Sequence, residues 1–186
     1  MADLYLALIH FPVLDKNGLI VTSAVTNMDV HDIARTCRTY GVSRFFVATP
    51  VKTLHALVAK IIEHWQTGYG STYNATRKDA LALVALANDL DDVMIAIERE
   101  AGTRPVVIAT SARSRGDRLT FAELRRQIEH AAEPRLLLLG TGWGLAPAVL
   151  DRVDGLLEPL IGPSDYNHLS VRAAAAVILD RLRAPR

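Results

Sequence analysis

Two stretches near the carboxyl end concentrate residues that could do chemistry. The first is RLLLLGTGWGL, residues 135–145, an apolar run that stops at Gly140 and then carries glycines at 140, 142 and 144. Glycine tolerates positive φ and lets a ligand come close to the backbone. A turn made of Leu139, Gly140, Thr141 and Gly142 could therefore read the edge of an adenine through main-chain N–H and C=O groups. The same pattern also suits a tight strand-to-helix turn with no ligand. It is not the dinucleotide fingerprint, because the spacing is G-x-G-x-G and falls late in the chain.

The second is EPLIGPSDYNHLSVRAAAAV, residues 158–177. Two prolines and Gly162 impose an irregular loop. Six polar residues follow: Ser164, Asp165, Tyr166, Asn167, His168 and Ser170. The helix behind them is apolar almost all round until Asp180, a pattern of burial against a sheet or a partner subunit. A cap role for Asn167 or His168 explains one of the six and leaves the others for ligand contacts. His168 reads either as a general base or as a cap or packing residue.

Two further segments carry arginine. Residues 27–41 place Arg35 and Arg38 on a helix that follows a polar loop. Residues 110–118, TSARSRGDR, put three arginines in a loop that begins at Thr110. Either set could hold phosphates or lie solvated. The six histidines (10, 31, 55, 64, 130, 168) show no metal-ligand spacing, and no metal is expected.

The elements that must position these residues alternate in type. Short apolar runs at 4–9, 45–49, 105–110, 136–139 and 155–157 predict strands. Helical spacing predicts helices over 29–40 with Asp29 as cap, 53–65, 76–88, 91–100, 121–130 with Thr120 as cap, 146–151 and 169–182. Residues 93–97 also read as a strand, 68–74 as a loop, and 19–22 as a local pair or a loop. Strands alternating with helices predict a single α/β domain over 1–186, a parallel sheet with helices on both faces. Ligands bind such sheets beyond the carboxyl ends of the strands, which marks the loops at 110–118, 140–145 and 159–168.

Composition narrows the class without naming it. The chain has 186 residues, half of them apolar, and a net charge of +1. Its 21 basic residues are 17 Arg and 4 Lys. Arg offers a planar fork for phosphates and base edges. Cys37 is the one cysteine, so a disulfide framework is excluded and a reducing, cytoplasmic setting is expected. No apolar stretch approaches the roughly 18 residues of a membrane span, and no leader pattern precedes the first strand.

Taken in order, these segments resemble the SPOUT, or α/β-knot, RNA methyltransferases. Asn27…Ile33-Ala34-Arg35-Thr36…Tyr40-Gly41-Val42 is similar to the first family motif, with two extra residues between Asn27 and Arg35. Residues 136–145 are similar to the second, although Gly142 stands where close members carry an acidic residue. Leu160-Ile161-Gly162 and the helix from Leu169 are similar to the third. DYNHLSVRAAAA also resembles a small bacterial group sometimes joined to a tRNA guanine-N1 methyltransferase.

The resemblance implies a C-terminal trefoil knot, S-adenosylmethionine as cofactor, a homodimer, and tRNA or rRNA methylated at guanine N1 or a ribose 2′-hydroxyl. It implies cofactor contacts from Thr110, Leu139, Gly140, Thr141, Gly142, Ile161, Gly162, His168, Leu169 and Ser170. Acceptor or catalytic roles fall to Arg35, Asp165, Asn167, Ser170 and Arg172, with Asp165 as base for a guanine nitrogen. Two rival readings are a non-enzymatic cofactor- or RNA-binding module and an unknotted α/β enzyme with a nucleotide ligand. The second calls for a glycine-rich turn after the first strand, where this chain has His10-Phe-Pro-Val.

Overall fold

The computed structural model describes residues 2–112, 116–164 and 166–185. The first half runs β1 (Leu4–Ile9), β2 (Val13–Leu14), β3 (Ile20–Val21), α1 (Asn27–Thr39), β4 (Arg44–Ala48), α2 (Lys52–Gln66), α3 (Gly70–Tyr73), α4 (Ala75–Leu81) and β5 (Val84–Ala87). The second runs α5 (Leu90–Ala101), β6 (Val106–Ala109), α6 (Phe121–His130), β7 (Arg135–Gly140), α7 (Pro147–Leu150), β8 (Gly155–Leu156) and α8 (Val171–Arg183).

Six strands form one parallel sheet in the order β5-β4-β1-β7-β6-β8. β1 is central, and all six of its residues are buried. Alternation along it feeds two cores. Leu4, Leu6 and Leu8 pack with Ile33 of α1, Val58 of α2, Leu124 of α6 and Leu179 of α8. Tyr5, Ala7 and Ile9 pack with Val93 and Ile97 of α5 and Val149 of α7. Helices thus cover both faces, as the alternating pattern predicts. Among the described residues, no helix is long and apolar enough to cross a membrane.

Three local differences from the sequence reading, and one alternative resolved in favour of the expected helix over 91–100, have physical reasons. The helix expected over 76–88 ends at Leu81, and the following run becomes β5. An Ala- and Leu-rich run suits either state, and the open edge of β4 decides it, with the Phe45 N–H donating to the Leu83 carbonyl at 2.9 Å. Residues 93–97 are helical, since Asp89 caps α5 by accepting from the Asp92 N–H at 3.0 Å. Residues 70–73 form one helical turn inside the expected loop. Thr26, not Asp29, caps α1: its hydroxyl oxygen accepts from the Asp29 N–H at 3.1 Å. Asp29 is thereby moved inside the helix and is 7 % exposed.

Residues 19–22 do pair locally, Val13 with Val21 and Leu14 with Ile20. This hairpin leans on the turn after β7. The Trp143 N–H donates to the Leu14 carbonyl and the Leu14 N–H to the Gly144 carbonyl, both at 2.9 Å.

Candidate functional site

The carboxyl ends of β6 and β7 open into a cavity of about 820 Å³. Its floor is the β7 turn from Leu139 to Gly144. One wall is Thr110 to Ala112 after β6, and another is Glu158 to Leu160 after β8. A third is the approach to α8, from Asn167 to Arg172. Ser23, Ala24 and Asp29 close it from the start of α1.

The β7 turn needs its glycines for particular reasons. A Cβ on Gly140 would lie 2.9 Å from the Leu145 nitrogen. Gly142 has φ +58°, and a Cβ there would meet the Leu14 carbonyl oxygen at 2.8 Å. The turn is therefore folded back on itself and pressed against the hairpin, at the floor of the cavity.

Hydrogen bonds fix the walls. The Thr110 hydroxyl donates to the Leu138 carbonyl at 2.9 Å. The Asn167 side-chain amide donates to the Ala112 carbonyl at 2.8 Å, tying the loop before α8 to the end of β6. Glu158 accepts from the Phe121 N–H at 2.6 Å and so serves the start of α6. Ser170 caps α8, its hydroxyl oxygen accepting from the Ala173 N–H at 3.4 Å. The cap role considered for Asn167 and His168 falls to Ser170 instead. The His168 ring packs edge-on against Tyr166 with centroids 5.5 Å apart, and both are exposed.

One ion pair joins the two helices that frame the site. Arg172 of α8 meets Asp29 of α1 at 3.1 Å and Asp32 at 3.6 Å. Asp29 also accepts from the Thr26 hydroxyl at 2.6 Å. A nearly buried carboxylate is tolerable there because both a cation and a hydroxyl meet it.

Beneath the cavity a polar chain links three loops. His10 Nδ1 lies 3.0 Å from Ser23 Oγ, Ser23 Oγ meets Thr141 Oγ1, and the Thr141 hydroxyl donates to the Ile9 carbonyl at 3.1 Å. One proton order satisfies the chain: His10 Nδ1–H donates to Ser23, Ser23 to Thr141, and Thr141 to the carbonyl. His10 is wholly buried, and its Nε2 has no hydrogen-bond partner. Burial lowers its pKa to about 4, against the raising effect of the Asp29 charge. The imidazole is neutral at pH 7, with its proton on Nδ1 in this order and its unpartnered Nε2 bare.

A second groove of about 440 Å³ adjoins the cavity. Arg35, Asp32 and Tyr40 line it, and it shares Ser170 and Arg172 with the cavity.

The structure thus brings Thr110, Leu139, Gly140, Thr141, Gly142, Asn167, His168, Leu169, Ser170 and Arg172 around one space. Arg35 lies in the adjoining groove. Ile161 and Gly162 are not in the lining; Pro159 and Leu160 are, while Ile161 is 72 % exposed. Asp165 lies outside the described residues, as do Arg113 and Arg115 of the arginine-rich loop.

Sequence reasoning passed over Ser23, Asp29 as a carboxylate, Trp143, Glu158 and the His10 chain. Glu158 had a signal, since it directly follows the last strand. Ser23 and His10 had none, because their roles depend on loops 118 residues apart meeting.

Comparison with known proteins agrees with this geometry. A family model described as SAM-dependent RNA methyltransferase matches residues 3–184. An uncharacterized protein of Aquifex aeolicus (strain VF5) is 38% identical over 97% of this chain and 88% of its own length. A tRNA (guanine-N(1)-)-methyltransferase of Oleidesulfovibrio alaskensis is 43% identical over 97% of this chain, which spans only 42% of that protein. In fold, the chain is similar to the SpoU methyltransferase AviRb from Streptomyces viridochromogenes, solved in complex with AdoMet. The TM-score is 0.58 at 18% identity, covering 97% of this chain and 59% of that one. A parallel sheet with its opening at the β6–β7 ends and a match along nearly its whole length place this chain in the SAM-dependent RNA methyltransferase family.

Proposed function

We propose that this chain methylates tRNA, at a guanine N1 or a ribose 2′-hydroxyl, and that the large cavity holds S-adenosylmethionine while the Arg35 groove receives the RNA. The observation that carries this reading is the sharing of Ser170 and Arg172 between the two spaces. A cofactor-sized pocket opens directly onto a surface that bears an exposed arginine.

The residues present fit the cofactor. The volume suits a ligand of that size. Leu139, Leu160 and Ile178 offer apolar walls, and the β7 turn offers backbone groups for an adenine. Asp29 and Glu158 place two carboxylates in the lining, the sign that suits a cationic molecule. S-adenosylmethionine supplies an electrophilic methyl group when bound. The chain's own task is then to orient the acceptor and take up a proton. Arg172, fixed by Asp29, and Asn167, fixed on Ala112, are positioned to orient. Asp29 and Glu158 are both engaged in holding the walls, which keeps Asp165 as the proposed proton acceptor for a guanine nitrogen. For a ribose hydroxyl, Arg35 is the residue proposed to hold and orient the acceptor through its guanidinium donors.

A homodimer belongs to this reading. Trp143, Ile161, Tyr166 and Leu169 are 52–72 % exposed in and beside the segments that form the cavity, a concentration of apolar surface that a second copy would cover. The C-terminal trefoil knot belongs to it as well. In support, the Leu157 N–H donates to the Ala109 carbonyl at 2.9 Å, the Asn167 amide donates to the Ala112 carbonyl at 2.8 Å, and α8 packs on α1, α6 and β7.

Purified protein, labelled S-adenosylmethionine and tRNA from a strain lacking the gene test the reading. Methyl groups recovered in tRNA nucleosides support it, and their chemical identity separates N1 from 2′-O. No binding of S-adenosylhomocysteine by calorimetry would sink it. Arg35→Ala should spare that binding and abolish transfer; full activity in this variant would remove Arg35 from the mechanism.

A further inference from the structure

Trp65 of α2 centres a cluster that the methyl-transfer site does not use. His31 of α1 meets it edge-on at 5.6 Å and His64 at 5.1 Å, and the Arg77 guanidinium lies over its ring at 4.8 Å. Beside the cluster, Tyr69 and Tyr73 stack on each other with centroids 5.9 Å apart and planes 25° apart. They are 75 % and 73 % exposed, the two most exposed large hydrophobic side chains among the described residues.

The pair is held firmly. A Cβ on Gly70 would sit 2.7 Å from the Trp65 ring and 3.0 Å from His64, so only glycine lets the α3 turn seat against them. Asn74 caps α4 by accepting from the Arg77 N–H at 2.9 Å, and the Gln66 amide donates to the Lys78 carbonyl at 2.8 Å. Two rings are thus presented to solvent from a rigid base.

The charge around them is mainly basic. Residues 50–79 contain Lys52, Lys60, Arg77 and Lys78 against two carboxylates, Glu63 and Asp79, and hold three of the chain's four lysines. That surplus opposes a purely apolar protein partner and suits a polyanion. On α1, His31 stands one turn from Arg35 on the same face, and the Arg35 and Arg77 charges both bear on it. The cluster and the Arg35 groove are therefore neighbours along one helix face.

We infer that the stacked Tyr69–Tyr73 pair, backed by Trp65, Arg77 and His64, is a stacking platform for an unpaired nucleobase of the RNA. It would hold a single-stranded segment beside the nucleotide that enters the Arg35 groove, and it rests on the reading of that groove as the RNA entry. An aromatic face accepts any base, but only one that has left its own stack.

The test compares binding of oligoadenylate, oligouridylate and an RNA duplex by the wild-type chain and by the double variants Tyr69→Ala/Tyr73→Ala and Tyr69→Phe/Tyr73→Phe. The wild type should prefer the single strands. The alanine pair should weaken oligoadenylate binding about ten-fold, the phenylalanine pair should retain it, and S-adenosylhomocysteine binding should be unchanged in both. Cross-links from 4-thiouridine RNA should map to residues 64–78. Unchanged oligoadenylate affinity in the alanine pair overturns the platform. So does absence of wild-type binding, or a drop in oligomeric state on sedimentation, which would make the pair a protein interface. If the wild type binds cofactor and methylates tRNA while the alanine pair binds RNA normally, only the platform fails. If the alanine pair loses RNA affinity but no RNA is methylated by the wild type, the platform stands and the methyl-transfer reading fails.

Discussion

β1 and β7 are neighbours in register, Leu8 beside Leu139 and Ile9 beside Gly140, yet they end in opposite ways. β1 runs into His10, a wholly buried side chain that fills the space beyond the strand. β7 runs into Gly-Thr-Gly-Trp-Gly and leaves that space to a ligand. The contrast shows how a parallel sheet makes an opening. One central strand must stop without Cβ atoms, and its neighbour must supply packing and hydrogen bonds to hold the bare turn. Ser23 and Thr141 are the joint between the two.

The largest effect should come from closing the open end. Gly140→Val would drive a branched side chain into the Leu145 backbone. We expect a loss of about 3 kcal/mol in stability, at the upper end for overpacking, and no measurable S-adenosylhomocysteine binding. A variant that still bound the cofactor product normally would break the contrast.

The filled end should show itself through pH. The folded pKa of His10, about 4, lies below its ordinary 6.5, so the unfolded chain takes up the proton first. Stability from this group is complete above pH 6.5 and is lost as pH falls toward 4, by roughly 3 kcal/mol in all. His31 is shifted the same way, chiefly by burial, and adds to the slope. Urea unfolding at pH 7 and pH 4.5 should reveal the decline, and His10→Gln should flatten it. An equal slope in both proteins would remove His10 as its source.

Smaller changes probe the joint. Gly142→Ala combines a left-handed backbone with a contact on the Leu14 carbonyl and should cost about 2 kcal/mol. Thr141→Val removes one hydroxyl from the polar chain and should cost about 1 kcal/mol. If thermal melting ranks Thr141→Val above Gly142→Ala, the hydroxyl joint matters more than the bare turn.

Much of this was legible in order of residues. The buried strands at 4–9 and 136–139, the helix that carries Arg35, and the glycine turn all announce themselves through periodicity and composition. β5 did not, because an Ala- and Leu-rich run has no strong preference and the vacant edge of β4 chose for it. Asp29 looked like a cap because it precedes an apolar face, and only Thr26, directly before the helix and taking the cap itself, moved it inward. The stacked tyrosines lay in what read as a plain loop.

The sequence by itself determined the α/β class, the bare turn after β7 and, through ordered motifs, the methyltransferase family. These are properties of neighbouring residues, where backbone preference and hydrophobic spacing act. Only the tertiary structure decided that Arg172 is held by Asp29, that His10 reaches Thr141 through Ser23, and that Arg35 opens onto the same space as Ser170. Each joins residues more than a hundred positions apart or packs one helix on another, and no local pattern encodes a contact that exists only once the sheet has brought its loops together.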